Sequence, residues 1–191
     1  MNEHTRPDLI RHLLTASTST GRVHSFDHCK LQNAALYPQW NHPIDRAIAG
    51  GCASADAGFA FAFGYQAALQ ALAPAHIDDR PAAFCVRESG GNSPSAIQTT
   101  LHRITPQRAL LNGTKSFVTN ADQAELLLVA ASCGQEEPGP DGKSRNRLAL
   151  ALVPAQQTGV SIKLLPPLPF APSIHHGSAH FDQVPVSAAQ W

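Results

Sequence analysis

Two periods divide the chain near residue 80. Before it, apolar positions recur at helical spacing; after it, they alternate or run together as strands do. Leu9, Ile10, Leu13 and Leu14 fall at helical spacing behind Pro7 and Asp8, which suit a first turn. Ser17 to Gly21 read as a loop. Pro43 opens a second short helix, which Gly50-Gly51 should stop. A third is predicted from Ser54 or Ala55 to Leu72, with Ser54 as N-cap, Asp56 at the positive end and Pro74 beyond its end. Gly58 and Gly64 weaken it locally and permit close approach of a neighbour.

After residue 80 the predicted elements are strands. Pro81 to Arg87 enters a glycine turn at Glu88-Ser89-Gly90-Gly91, and Ala96 to Arg103 and Arg108 to Leu111 flank further turns. Asn112-Gly113 is the strongest short hairpin signal present. Thr114 to Thr119 alternates, and Ala124 to Ala131 is a continuous apolar run fit for a buried strand. Cys133 to Asn146, polar and rich in Gly and Pro, reads as a long exposed loop. Leu148 to Val153, Gly159 to Leu164 and Ser178 to Val184 add three strands. The predicted class is α+β: a helical segment over 1–80, then an antiparallel β-barrel over 81–191.

Composition narrows the function. Lys+Arg and Asp+Glu are 14 each, so net charge is zero, which argues against nucleic acid and against electrostatic docking to a membrane. The apolar stretch Ala47 to Ala73 contains Asp56, Gln66 and Gln70, which fits a buried helix rather than a membrane span. The start lacks the apolar core of a secretory signal. Cys29, Cys52, Cys85 and Cys133 form no CxxC pair, so free thiols in the cytoplasm are expected. The low charge, 15% of residues, suits a surface covered by a partner.

Three segments carry a resemblance. They are Phe84-Cys85-Val86-Arg87-Glu88-Ser89-Gly90-Gly91-Asn92-Ser93, then Leu111-Asn112-Gly113-Thr114-Lys115-Ser116-Phe117-Val118-Thr119-Asn120-Ala121, then Phe181-Asp182-Gln183-Val184-Pro185-Val186. In order and spacing they resemble the acyl-CoA dehydrogenase family: its strand and glycine turn, its NG-x-K-x-(W/F)-I-T-N hairpin, and the strand closing its middle domain. The helix over 54–72 resembles the one preceding that domain.

The resemblance implies FAD, with the flavin held by the barrel. It implies that Thr119 offers its hydroxyl and N–H near flavin N5 and O4, that Phe117 packs on the ring, and that Phe84 stands in the motif's aromatic position. It places Val86 backbone groups at the pyrimidine edge and Ser93 near the diphosphate or CoA. Read without the resemblance, Thr119 is a strand former, Phe117 a core residue and Ser93 a turn residue. Arg87 replaces the family's Thr at a flavin contact; a cation there could stabilise a reduced flavin or block the site. Asn92 replaces a Gly, and Asn tolerates left-handed backbone.

The family's catalytic Glu comes from a C-terminal helical bundle, expected to be missing here, so no catalytic residue is carried over. His175, His176 and His180, and His24, His28 and Cys29, lack a second ligand pair at zinc spacing, so no metal site is expected. Two readings follow. One is an oxidoreductase on the CH–CH bond of an acyl-CoA or related thioester, completed by homodimerisation or a separate helical subunit. The other is a non-catalytic barrel acting as a binding or scaffold module.

Overall fold

The structure, a computed structural model, describes residues 6–16, 22–91, 93–138, 142 and 144–190. The loop expected at Ser17 to Gly21 and the turn residue Asn92 lie outside them, as do parts of the 133–146 loop. The chain divides into two compact units, one of Met1–Pro81 with Pro167–Ile174, the other of Ala82–Pro166 with His175–Trp191.

The first unit contains α1 (Arg6–Ala16), α2 (Phe26–Leu36), α3 (Pro43–Cys52) and α4 (Ala57–Leu72). Helix α2 was not expected from the sequence. Its inward positions are Cys29, Asn33 and Leu36, and the polar Asn33 breaks the apolar stripe; its Nδ2 donates to the Asp79 carbonyl at 3.0 Å. Helix α3 starts at Pro43 as expected but runs through Gly50-Gly51. Gly50 is a contact rather than a stop, since a Cβ there would lie 2.2 Å from the Phe63 ring.

Asp56, not Ser54, caps α4: its Oδ1 accepts the Gly58 and Phe59 N–H groups at 2.8 and 3.1 Å. Ser54 instead donates to the Gly50 carbonyl at the end of α3. Gly58 is closely approached by Ser173 and Ile174, while Gly64 has nothing within 4 Å. Gln66 and Gln70 sit inside the apolar helix because their amides reach the carbonyls of Arg80 and Asp78, each at 2.7 Å. The core gathers Leu36, Trp40, Phe59, Phe63 and Ile174 around Cys29, whose thiol burial pushes up to about 12. Among the described residues no helix is long and apolar enough to cross a membrane.

The second unit is one curled, seven-stranded half-barrel: β1 (Ala82–Cys85), β2 (Thr100–Thr105), β3 (Arg108–Thr119), β4 (Leu126–Gln135), β5 (Asn146–Pro154), β6 (Val160–Leu164) and β7 (His176–Ser187). Strand order is β1-β4-β2-β3-β7-β6, with β5 on the other edge of β4. The pairs β2–β3, β3–β7, β4–β5 and β6–β7 are antiparallel, as expected. Strand β1, however, runs parallel to β4, with Ala82 opposite Leu126. The sheet is therefore mixed. The chain passes through β2 and β3 before β4 lies down beside β1, a crossover that allows parallel pairing.

The Asn112-Gly113 hairpin is not formed. Strand β3 continues through it, and the β2–β3 turn falls at Pro106-Gln107, where Pro presets the turn. Gly113 is needed for a different reason. Its φ is 144, and a Cβ would lie 2.7 Å from the Thr99 Cα. Asn112 Oδ1 fills the break in the β3–β7 ladder by accepting the Gln183 N–H at 2.8 Å. Residues 94–96 form a 3-10 turn rather than the start of β2. The apolar run in β4 is buried on both faces from Leu126 to Ala131.

Candidate active site

Strand β1 places Ala83 and Cys85 in the core and leaves Phe84 and Val86 half-buried on its other face. Phe84 and Val86 line a cavity of about 270 Å³ with Pro94, Ile97, Ala130 and Leu150. After β1 the backbone closes on itself: Glu88 N–H donates to the Gly91 carbonyl and Gly91 N–H to that of Glu88. This is the expected glycine turn, with Gly91 at φ 114.

Glu88 and Lys115, which sequence reasoning left unassigned, meet beneath that turn. Lys115 Nζ lies 2.6 Å from Glu88 Oε1, and the lysine side chain is fully buried. Lys115 also donates to the Val86 carbonyl at 3.3 Å. Glu88 accepts the Gln98 and Thr99 N–H groups at 2.8 and 3.0 Å. Burial raises the Glu88 pKa, but the ammonium and the amides outweigh it and hold the carboxyl below its ordinary value. Burial lowers that of Lys115, and the carboxylate offsets part of this. Lys115 occupies the inward phase of β3 after Ala109 and Leu111, a phase that the expected break at Asn112-Gly113 concealed.

Between Lys115 and Val118 the β3–β7 register shifts. At this bulge Phe117 adopts φ 58, rare for a bulky residue, and the residue is 43% exposed. The ring packs on His176 at 4.7 Å between centroids. The Arg87 guanidinium lies 5.7 Å from the same ring, and the Arg87 carbonyl accepts the Ser116 N–H at 2.7 Å. Thr119, half-buried, stands opposite His176 in the ladder. Asn120 ends the strand at φ 56. Its N–H donates to the His175 carbonyl, and its Oδ1 is buried without a hydrogen-bond partner.

The structure thus brings Phe117 and Thr119 to His176 and sets Arg87 over the Phe117 ring. Phe84 and Val86 are together in the apolar cavity. Ser93 is exposed and its hydroxyl bonds Ser95, so it joins neither group. Of the clustered histidines, His175 pairs with Asp122 at 2.7 Å and His180 with Thr114 at 2.9 Å. A wider groove of about 700 Å³ between β2 and β4, lined by Arg103, Cys133 and Arg147, was not foreseen.

These residues fit a flavin. A partly exposed ring that His176 and the Arg87 guanidinium approach, the Thr119 hydroxyl at the strand end and that cation offer apolar contact, a hydrogen-bond donor and compensation for negative charge. The left-handed Phe117 backbone and the buried, unpartnered Asn120 oxygen are local costs that surrounding structure must hold in place.

No curated protein sequence is significantly similar to the chain. Solved structures share its fold. An FAD-dependent dehydrogenase matches with a TM-score of 0.73 at 20% identity, over 98% of this chain and 57% of its own. Butyryl-CoA dehydrogenase from Megasphaera elsdenii matches at 0.72 and 14%, over 100% and 59%. A glutaryl-CoA dehydrogenase from Mycobacterium smegmatis, in complex with FADH2, matches at 0.64 and 16%, over 98% and 50%. The chain therefore spans between 50% and 59% of the length of these structures. A sequence model described as acyl-CoA dehydrogenase, middle domain, matches residues 83–184, from β1 into β7. As that match takes in more than half of the chain, the protein belongs to the acyl-CoA dehydrogenase family, and its half-barrel is that family's middle domain.

Proposed function

We propose that this protein is a flavin-dependent oxidoreductase acting on the CH–CH bond of an acyl-CoA or related thioester, with FAD held at the β3 bulge. The observation that carries this reading is Phe117, kept at φ 58 and exposed beside Thr119. Such strain persists only where surrounding structure enforces it, and it clusters at functional sites. When bound, FAD supplies the two-electron acceptor for the thioester's β-hydride.

The chain's own residues bind and orient. Phe117 packs on the ring, Thr119 donates its hydroxyl to it, and Arg87 brings positive charge to the same face. Phe84 and Val86 line the neighbouring apolar cavity, and Ser93 is assigned to the diphosphate or CoA. The carboxylate that takes the α-proton is assigned to a helical element outside residues 83–184. The free thiols suit the cytoplasm.

A second reading is favoured by Arg87, whose guanidinium covers one side of the Phe117 ring. It makes the half-barrel a binding module that holds no flavin. A visible absorption spectrum, taken after adding FAD and desalting, separates the two. Retained flavin bands are expected; a colourless protein would leave the binding module.

A further inference from the structure

We infer that the buried Glu88–Lys115 pair is a positioning device: it holds the β3 bulge in the one geometry that presents Phe117 and Thr119. The inference rests on the flavin reading for its purpose, but its geometry stands on the chain alone.

Two charges are taken out of water here, and a buried ion pair is weak evidence of a stability role. Replacing one by apolar residues of similar volume is often neutral or stabilising, whereas removing a single partner is strongly destabilising. What the pair does gain is registry among three segments. From the end of β1, the Val86 carbonyl and the Glu88 carboxylate reach Lys115 at 3.3 and 2.6 Å. From the approach to β2, the Gln98 and Thr99 amides point into the same carboxylate.

From β3 comes Lys115 itself, two residues before Phe117. The next residue, Ser116, donates its N–H to the Arg87 carbonyl at 2.7 Å. The bulge is thus tied on both sides of Ser116, at Lys115 by the ion pair and at Val118 by burial in the core. Phe117 lies between two fixed points. With the peptide on either side pinned, the residue keeps its left-handed φ and its ring stays against His176.

The test compares three variants with the wild-type chain. Glu88→Gln/Lys115→Met keeps the volume and one amide acceptor but removes both charges. Glu88→Asp shortens the pair by one methylene, and Glu88→Asp/Lys115→Arg restores its span. Each is followed by thermal melting, by FAD titration, and by NMR of the flavin-free chain. The NMR reads the ring-current shift that Phe117 imposes on the His176 ring protons.

The expected result for the uncharged pair is a cooperative melt near that of wild type. Its His176 shift should collapse towards the random-coil value and its FAD affinity should fall at least tenfold. Glu88→Asp should lower affinity at least threefold, and the Arg double variant should recover it. An unchanged His176 shift and affinity in the uncharged pair would overturn the inference. So would a loss of melting temperature in step with affinity across all three variants, the sign of a merely structural pair. Should wild type bind no FAD, the flavin reading falls, and the His176 shift still decides whether the pair sets the bulge.

Discussion

The Phe117 ring rests 4.7 Å from the His176 ring across the β3–β7 ladder, although the Phe117 backbone sits at φ 58. A left-handed conformation costs a non-glycine residue about 1–2 kcal/mol. In urea denaturation, Phe117→Gly is therefore expected to be more stable than Phe117→Ala by about 1 kcal/mol, the reverse of the order in an ordinary strand. Both variants should lose at least tenfold in FAD affinity. An alanine variant as stable as the glycine one would show that the bulge is unstrained.

Lys115→Met alone leaves the Glu88 carboxylate buried without its cation. The expected cost is about 3–5 kcal/mol in urea denaturation. Adding Glu88→Gln should recover most of it, a coupling between the two sites that a double-mutant cycle reads directly. Two additive effects would mean that the 2.6 Å contact carries no interaction energy.

Two glycines should respond oppositely to alanine. At Gly113 the new Cβ meets the Thr99 Cα at 2.7 Å with φ at 144, so a loss of about 3 kcal/mol or more is expected from overpacking and strain together. At Gly64, inside α4, nothing lies within 4 Å. There alanine should add about 0.5–1 kcal/mol through helix propensity. Equal melting temperatures for the two variants would contradict both placements.

Acid should destabilise the protein. Burial raises the Glu88 and Asp122 pKa values, but Lys115 and the amides in one case, and His175 and Gln123 in the other, outweigh it. Both carboxyls therefore titrate lower in the folded chain than when unfolded, where such groups sit at about 3.9–4.3. The unfolded state binds more protons between the two values, so stability rises with pH through that window. Melting temperature should be level above about pH 5 and fall below about pH 4. Asp122→Asn should flatten part of the fall, and a melting temperature constant to about pH 3 would refute the assignment.

Arg87→Thr should lower the midpoint potential of bound flavin. A unit charge about 6 Å away is worth roughly 1–3 kcal/mol for effective dielectric constants of about 50 to 20, which is roughly 20–60 mV for a two-electron couple. Dye equilibration measures it. A potential unchanged by the substitution would remove Arg87 from the flavin face.

Local chemistry made much of this protein legible without coordinates. Pro43 and Pro74 punctuate helices, the apolar 124–131 run suits a buried strand, and the order and spacing of the three motif segments pointed to the family. Helix α2 stayed hidden because one of its inward positions is Asn33, whose partner, the Asp79 carbonyl, lies 46 residues away in sequence. Asn112-Gly113 read as a hairpin because the dipeptide suits a primed turn. Only the assembled sheet shows that Thr99 crowds the glycine and that Gln183 takes up the asparagine.

The same division runs through the site. Sequence alone determined which residue types follow one another there: Lys115, then Phe117, then Thr119. Tertiary structure alone decided that Lys115 meets Glu88, that Phe117 takes φ 58, and that His176 lies beneath its ring. Those facts depend on strand register and on groups between 27 and 59 residues apart in sequence. Helical period and capping are set by neighbours within a few residues, whereas register and buried pairing exist only once the sheet has closed around them.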